Sequence, residues 1–208
     1  MKKTVIYLFI ITTILFIACN NYDWILYRAG NDYFPLRKEM WWEYDVQGAI
    51  EVDSVVGETI AYGVNCIHYL RNYGDEYWIK NDGEVKKLEL RTINVGGTEN
   101  TIEQTWLLQY RLPFILGSYW TETFSDTVVV LGDTYRISQT VSRSVKEIND
   151  ISVNVGMFIQ TYKIEYFETI TINDSIEQHQ GYEWFAPNVG LVKKIINGIT
   201  TQLAAYSN

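Results

Sequence analysis

Tyr77-Trp78-Ile79-Lys80-Asn81-Asp82-Gly83-Glu84-Val85-Lys86-Lys87-Leu88-Glu89-Leu90 decides the fold. Two runs rich in aromatic and aliphatic residues flank Asn81-Asp82-Gly83. An Asp-Gly pair tolerates positive φ at both positions, so the chain reverses tightly and the two runs pair as a hairpin. The same grammar extends in both directions. Upstream, Trp41 to Val46 opens a strand, Ile50 to Val55 alternates apolar and polar residues with period two, and Val64 to Leu70 reads as another strand. Downstream, Val95-Gly96-Gly97 turns the chain into Ile102 to Tyr110.

The second half continues in this style. Trp120 to Phe124 and Thr127 to Leu131 read as two short strands, and Gly132-Asp133 leads into Tyr135 to Ile148. Asn149-Asp150 is expected to reverse the chain. Phe158 to Ile172 follows, with Tyr162, Ile164 and Tyr166 on one face. Asn173-Asp174 separates it from Ile176 to Phe185. Leu191 to Ile196 and Thr200 to Tyr206 flank Asn197-Gly198. No segment has a convincing helical period. The expectation is an all-β, antiparallel domain over residues 33–208, built as a barrel, half-barrel or sandwich. One internal echo stands out. Pro35 precedes Trp42 by seven residues, with Trp41 before it, and Pro113 precedes Trp120 by seven, with Tyr119 before it. Proline suits the start of a strand because it cannot donate to a ladder. The echo suggests two similar halves, each aromatic pair plugging an end of the domain.

The N-terminus reads differently. Lys2-Lys3 precede the apolar run Val5 to Ala18, which is shorter than the ~20 residues needed to span a membrane. The run ends in Phe16-Ile17-Ala18-Cys19, which resembles the lipobox of a bacterial lipoprotein signal peptide, with Phe16 where Leu is usual. The resemblance implies a signal-peptide helix over residues 1–18, cleavage before Cys19, lipid on Cys19, and a tether over residues 19–32. Two or more acyl chains anchor a protein stably. Asn20 stands where Asp would signal inner-membrane retention, so the expected place is the outer membrane, facing the periplasm. Removing residues 1–18 leaves about 190 residues and a net charge of about −10. That balance, with no basic run, argues against nucleic acid as a partner. Lipid on Cys19 also removes the apparent disulfide, leaving Cys66 as a buried small hydrophobe.

Three further segments resemble a group of poorly characterised lipoproteins of bacterial envelopes. They are Tyr33-Phe34-Pro35-Leu36 leading to Trp42-Glu43-Tyr44, Val153 to Phe158 leading to Tyr162-Lys163-Ile164, and Tyr182-Glu183-Trp184-Phe185-Ala186-Pro187-Asn188-Val189-Gly190-Leu191-Val192-Lys193. Glu39 or Met40 stands where a Gly is common in the first, and Asn188 where Gly is common in the third. Asn also tolerates the left-handed conformation. The resemblance implies an antiparallel barrel or half-barrel and supplies no catalytic residues.

Chemistry is sparse in the sequence. No nucleophile elbow and no phosphate-cradling loop is present. Cys66 and His68 share a strand face but lack the ligand cluster a metal needs, so neither metal nor cofactor is expected. Glu122, Glu165 and Glu183 read as solvated strand faces. Seven Trp and sixteen Tyr point to aromatic packing, or to a platform for an apolar or glycan ligand. Trp41, Trp42, Trp120 and Trp184 lie beside turns and are the candidate ligand-binding aromatics. The expected function is non-catalytic: a membrane-anchored β-domain that binds a ligand or an envelope protein partner, or serves as a scaffold in assembly. The competing reading is a carbohydrate-active or other hydrolytic enzyme, whose carboxylate pair only folding would reveal.

Overall fold

Alternation with period two, broken by Asx-Gly turns, dictates a meander, and a computed structural model shows one. It describes residues 31–207 and divides the chain into the units Met1–Asp32 and Tyr33–Asn208. The signal segment, its expected helix, Cys19 and most of the tether lie outside the described residues.

The second unit is a single antiparallel sheet. Its strands are β1 (Trp41–Val46), β2 (Ala49–Ala61), β3 (Val64–Arg71), β4 (Gly74–Asn81), β5 (Glu84–Val95) and β6 (Thr98–Arg111). They continue as β7 (Tyr119–Val130), β8 (Asp133–Val153), β9 (Gly156–Ile172), β10 (Ser175–Ala186), β11 (Gly190–Ile196) and β12 (Ile199–Tyr206). The spatial order is β6-β5-β4-β3-β2-β1-β12-β11-β10-β9-β8-β7. Two up-and-down meanders of six strands therefore join along β1 and β12, leaving β6 and β7 as edges. The sheet curls until those edges approach. Trp120 Nε1 donates to the Gln109 carbonyl at 3.0 Å, and Ile102, Val130 and Ile137 close an apolar cluster between the edges. The result is a nearly closed barrel rather than a sandwich, which protects both edge strands.

The turns obey the sequence. Asp82 and Gly83 have φ of 50° and 78°, and an added Cβ on Gly83 would lie 2.6 Å from the Leu112 carbonyl oxygen. Asn188 takes φ 60°, and Glu39, one of the two residues standing where a Gly is common, takes φ 71°. Two expected breaks are absent. Ser125-Asp126 continues β7 as one strand, because both residues face solvent and still pair with Ser138 and Ile137. Asn149-Asp150 bulges β8 instead of reversing it: the register slips between Asn149 and Ile151, and Asp150 Oδ1 accepts from the Gln160 amide at 2.9 Å. The chain reverses later, at Asn154-Val155, where Asn154 Nδ2 donates to Asp45 of β1 at 3.1 Å.

The proline-aromatic echo marks where each meander begins. Trp42 and Trp120 are the second residues of β1 and β7; both are buried, and each indole donates to a carbonyl of another segment. Their neighbours Trp41 and Tyr119 point outward and are exposed. The segments carrying the prolines seal one end of the barrel together. Phe114 packs on Tyr33, Tyr110, Tyr162 and Phe185 with ring centroids 5.4–6.2 Å apart, and Phe34 packs on Trp78 at 5.0 Å and Tyr110 at 5.1 Å. Burying such rings contributes roughly 1.5–3 kcal/mol each.

Candidate functional site

Above this aromatic floor, the barrel encloses a cavity of about 780 Å³. Every strand except β7 lines it. Alternation explains how. In β8, Ile137, Gln139, Val141, Arg143 and Val145 form one buried row. In β9, Tyr166, Glu168 and Ile170 continue the inward face that Tyr162 and Ile164 begin. Near the floor these rows are apolar, and above it they turn polar. Six carboxylates line the cavity (Glu51, Asp53, Glu76, Glu89, Glu168 and Glu183) against five fixed cations (Arg71, Lys87, Arg91, Arg143 and Lys194).

Desolvation makes ions costly unless they are partnered, and nearly all of these are. On one wall, Arg71 Nε reaches Asp53 at 3.2 Å and its Nη1 reaches Glu76 at 3.3 Å. Tyr69 donates to Asp53 at 3.2 Å, and Trp78 Nε1 to Glu76 at 3.0 Å. Burial pushes the Asp53 carboxyl above its ordinary range, with Arg71 opposing. Lys87 holds Glu89 at 2.9 Å; burial still raises that carboxyl. Near the rim, Tyr73 donates to Glu51 at 2.6 Å.

The opposite wall centres on Arg143, which is 4% exposed. Its guanidinium lies between the rings of Tyr110 (4.4 Å) and Tyr166 (4.7 Å). Its Nε meets Glu183 Oε2 at 3.3 Å, and Tyr110 donates to both Glu183 oxygens at 3.1 and 3.2 Å. Burial works against the Arg143 charge, but Tyr110 and Glu183 outweigh it and hold the guanidinium above its ordinary value. Tyr166 donates to Glu168 at 2.6 Å, and Gln139 donates to the other Glu168 oxygen at 2.7 Å.

Two cationic groups break this pattern. Arg143 Nη1 is buried and has no hydrogen-bond partner among the described residues. Lys194 lines the cavity directly across from Glu183 in the β10–β11 ladder. Burial and the nearby Arg71 charge lower the Lys194 ammonium below its ordinary value. No ion pair or hydrogen bond holds its Nζ among the described residues.

Two of the four candidate tryptophans, Trp42 and Trp184, share one buried cluster, and the other two lie apart from it. Trp42 lines the cavity floor, stacked on Tyr69 at 5.9 Å. Trp120 is core, stacked on Phe114. Trp41 is exposed beside Ser207. Trp184 is buried in the cluster it shares with Trp42, together with Ala186, Val189 and Val192, and the ammonium groups of Lys163 and Lys193 lie 5.7 and 5.4 Å from its ring. Cys19 lies outside the described residues. Glu183 corrects its expected place: it is 7% exposed because it shares the inward row with Phe185. Glu122 and Glu165 are half-buried strand-face residues. Cys66 is a buried free thiol, and His68 pairs with Asp75 at 2.9 Å on the outer side. Among the described residues, no three His, Cys, Asp or Glu side chains are grouped as metal ligands. Arg143, Lys194, Asp53 and Gln139 carried a signal that sequence reading overlooked. Each is a polar residue in phase with apolar, inward positions of its strand.

No family model and no curated protein sequence matches this chain. Two solved structures are similar to it. One is from Bacteroides fragilis, described as an inferred exported protein with a YmcC-like fold. It is 13% identical, with a TM-score of 0.50 over 86% of this chain and 100% of that one. The other, from Parabacteroides distasonis, is described as an inferred lipoprotein. It is 16% identical, with a TM-score of 0.50 over 85% of this chain and 99% of that one. At these identities the likeness concerns the barrel fold alone.

Proposed function

We propose that this chain is an exported, lipid-anchored envelope protein whose barrel binds a small molecule in its lumen. The cavity carries the reading. At about 780 Å³ it falls within the ~300–1,000 Å³ of small-molecule sites and combines an aromatic floor with a few polar groups in fixed positions. A barrel meant only as a scaffold would gain nothing from burying so many ions, since an apolar core costs less. Export and anchoring rest on the segment ending at Cys19. The descriptions of the two fold relatives are in keeping with them. The role is binding rather than catalysis, because each lumen carboxylate is already engaged by an internal donor.

A ligand that binds only the folded state raises Tm by mass action. An organic extract of the native envelope should therefore raise the Tm of the purified protein. If no extract fraction changes Tm, the lumen reading is contradicted. Cys19→Ala should abolish incorporation of labelled fatty acid; retained label would refute the anchor. The hydrolytic alternative draws on one observation, the raised Asp53 carboxyl beside Glu76. It requires turnover of a glycoside or ester panel that Asp53→Asn abolishes.

A further inference from the structure

We propose that the lumen selects a singly charged organic acid, its acid group held between Lys194 and Arg143 and its ring or apolar body on the floor formed by Trp42, Trp78 and Phe185. This deepens the lumen-binding reading and rests on it. Among the described residues, two cations that line the cavity keep hydrogen-bonding capacity unspent. Arg143 is 4% exposed and its Nη1 lacks a partner among the described residues, while its Nε is committed to Glu183. Lys194 faces the same Glu183 across the ladder and has no ion pair among those residues. A buried donor without an acceptor is expensive, and a charged one more so. Because Glu183 touches Arg143 and lies opposite Lys194, both cations adjoin one region of the lumen. An acid group there gains charge-assisted hydrogen bonds from both.

The charge balance sets the valence. With six carboxylates against five fixed cations, the lumen as a whole is not positive. The repulsion grows with ligand charge, so a polyanion meets more of it, whereas for a monoanion two local donors offset it. The aromatic floor supplies area for a ring or short chain, since stacking and edge contacts add to its burial.

The test uses three matched fluorescent probes: dansylglycine (anionic), dansylglycinamide (neutral) and dansyl-ethylenediamine (cationic). The full chain is held in nanodiscs, with empty nanodiscs as the reference. Dansylglycine should bind at least ~tenfold more tightly than the other two. Lys194→Met should abolish the preference for the acid over the amide, and Lys194→Arg should preserve it. Among the described residues Lys194 has no ion pair or hydrogen bond to lose, so neither variant endangers folding. Equal binding of acid and amide, or a preference that survives Lys194→Met, would overturn the acid selectivity while the lumen reading stands. Uptake of none of the three would overturn both.

Discussion

Replacing Glu183 with Leu strands the Arg143 guanidinium, and the cost can be worked from its surroundings. Arginine cannot shed its proton in a protein, so the charge stays. Arg143 is 4% exposed and sits between two tyrosine rings, so its charge is largely shielded from water. Removing one partner of a buried pair costs ~3–5 kcal/mol. At ~2–4 °C per kcal/mol for a domain of this size, Tm should fall by ~6–20 °C. Glu183→Gln keeps a neutral acceptor and should cost less, about 1–3 kcal/mol. Arg143→Met alone leaves a buried carboxylate and should also be severe. The double variant Arg143→Met/Glu183→Leu removes both charges and should recover much of the loss. Urea denaturation followed by circular dichroism measures all four stabilities and closes the cycle. A loss below ~1 kcal/mol for Glu183→Leu, or a double variant no better than the sum of the singles, would refute the buried-pair argument.

Gly181→Ala should be far worse than its size suggests, because the new Cβ would lie 1.8 Å from the Ile195 carbonyl oxygen. A loss above ~3 kcal/mol by urea titration is expected, since backbone cannot yield as a side chain can. Phe114→Ala removes the ring on which both meanders converge and should cost ~3–5 kcal/mol, read as a Tm drop in calorimetry. Lys194→Met should raise Tm at neutral pH. The folded ammonium titrates below its ordinary 10.5, so between those values the unfolded wild type holds more protons and wild-type stability rises with pH. The advantage of Lys194→Met should therefore narrow towards pH 10.5, and an advantage that widens would contradict the burial of that charge.

The fold was legible because turns and alternation are local. Asp82-Gly83 and Asn197-Gly198 mark reversals by their backbone tolerance alone, and the structure reverses there. Asn149-Asp150 carries the same signal yet bulges, because β9 continues to pair beyond it. The pairing partner, not the dipeptide, decides between turn and bulge. The barrel was one of several open choices, since curvature depends on which edges meet. That in turn hangs on contacts such as Trp120 with Gln109, eleven residues apart across an irregular connection. The site was the least legible part. Glu183 looks like an ordinary solvent-facing carboxylate until Tyr110 and Arg143, from distant strands, close on it. Trp184 reads as a ligand platform beside its turn, but it packs into the buried cluster around Trp42 while its neighbour Phe185 lines the cavity. Phase along the strand carried the missing information: polar residues in step with buried apolar ones are lumen groups.

The central claim is that the lumen is a binding pocket, and native mass spectrometry of protein purified directly from envelopes tests it most directly. The account predicts a noncovalent small molecule, retained in gentle conditions, lost on denaturation, and displaced by dansylglycine. Protein that is bare in every preparation, together with no uptake of dansylglycine, would contradict it.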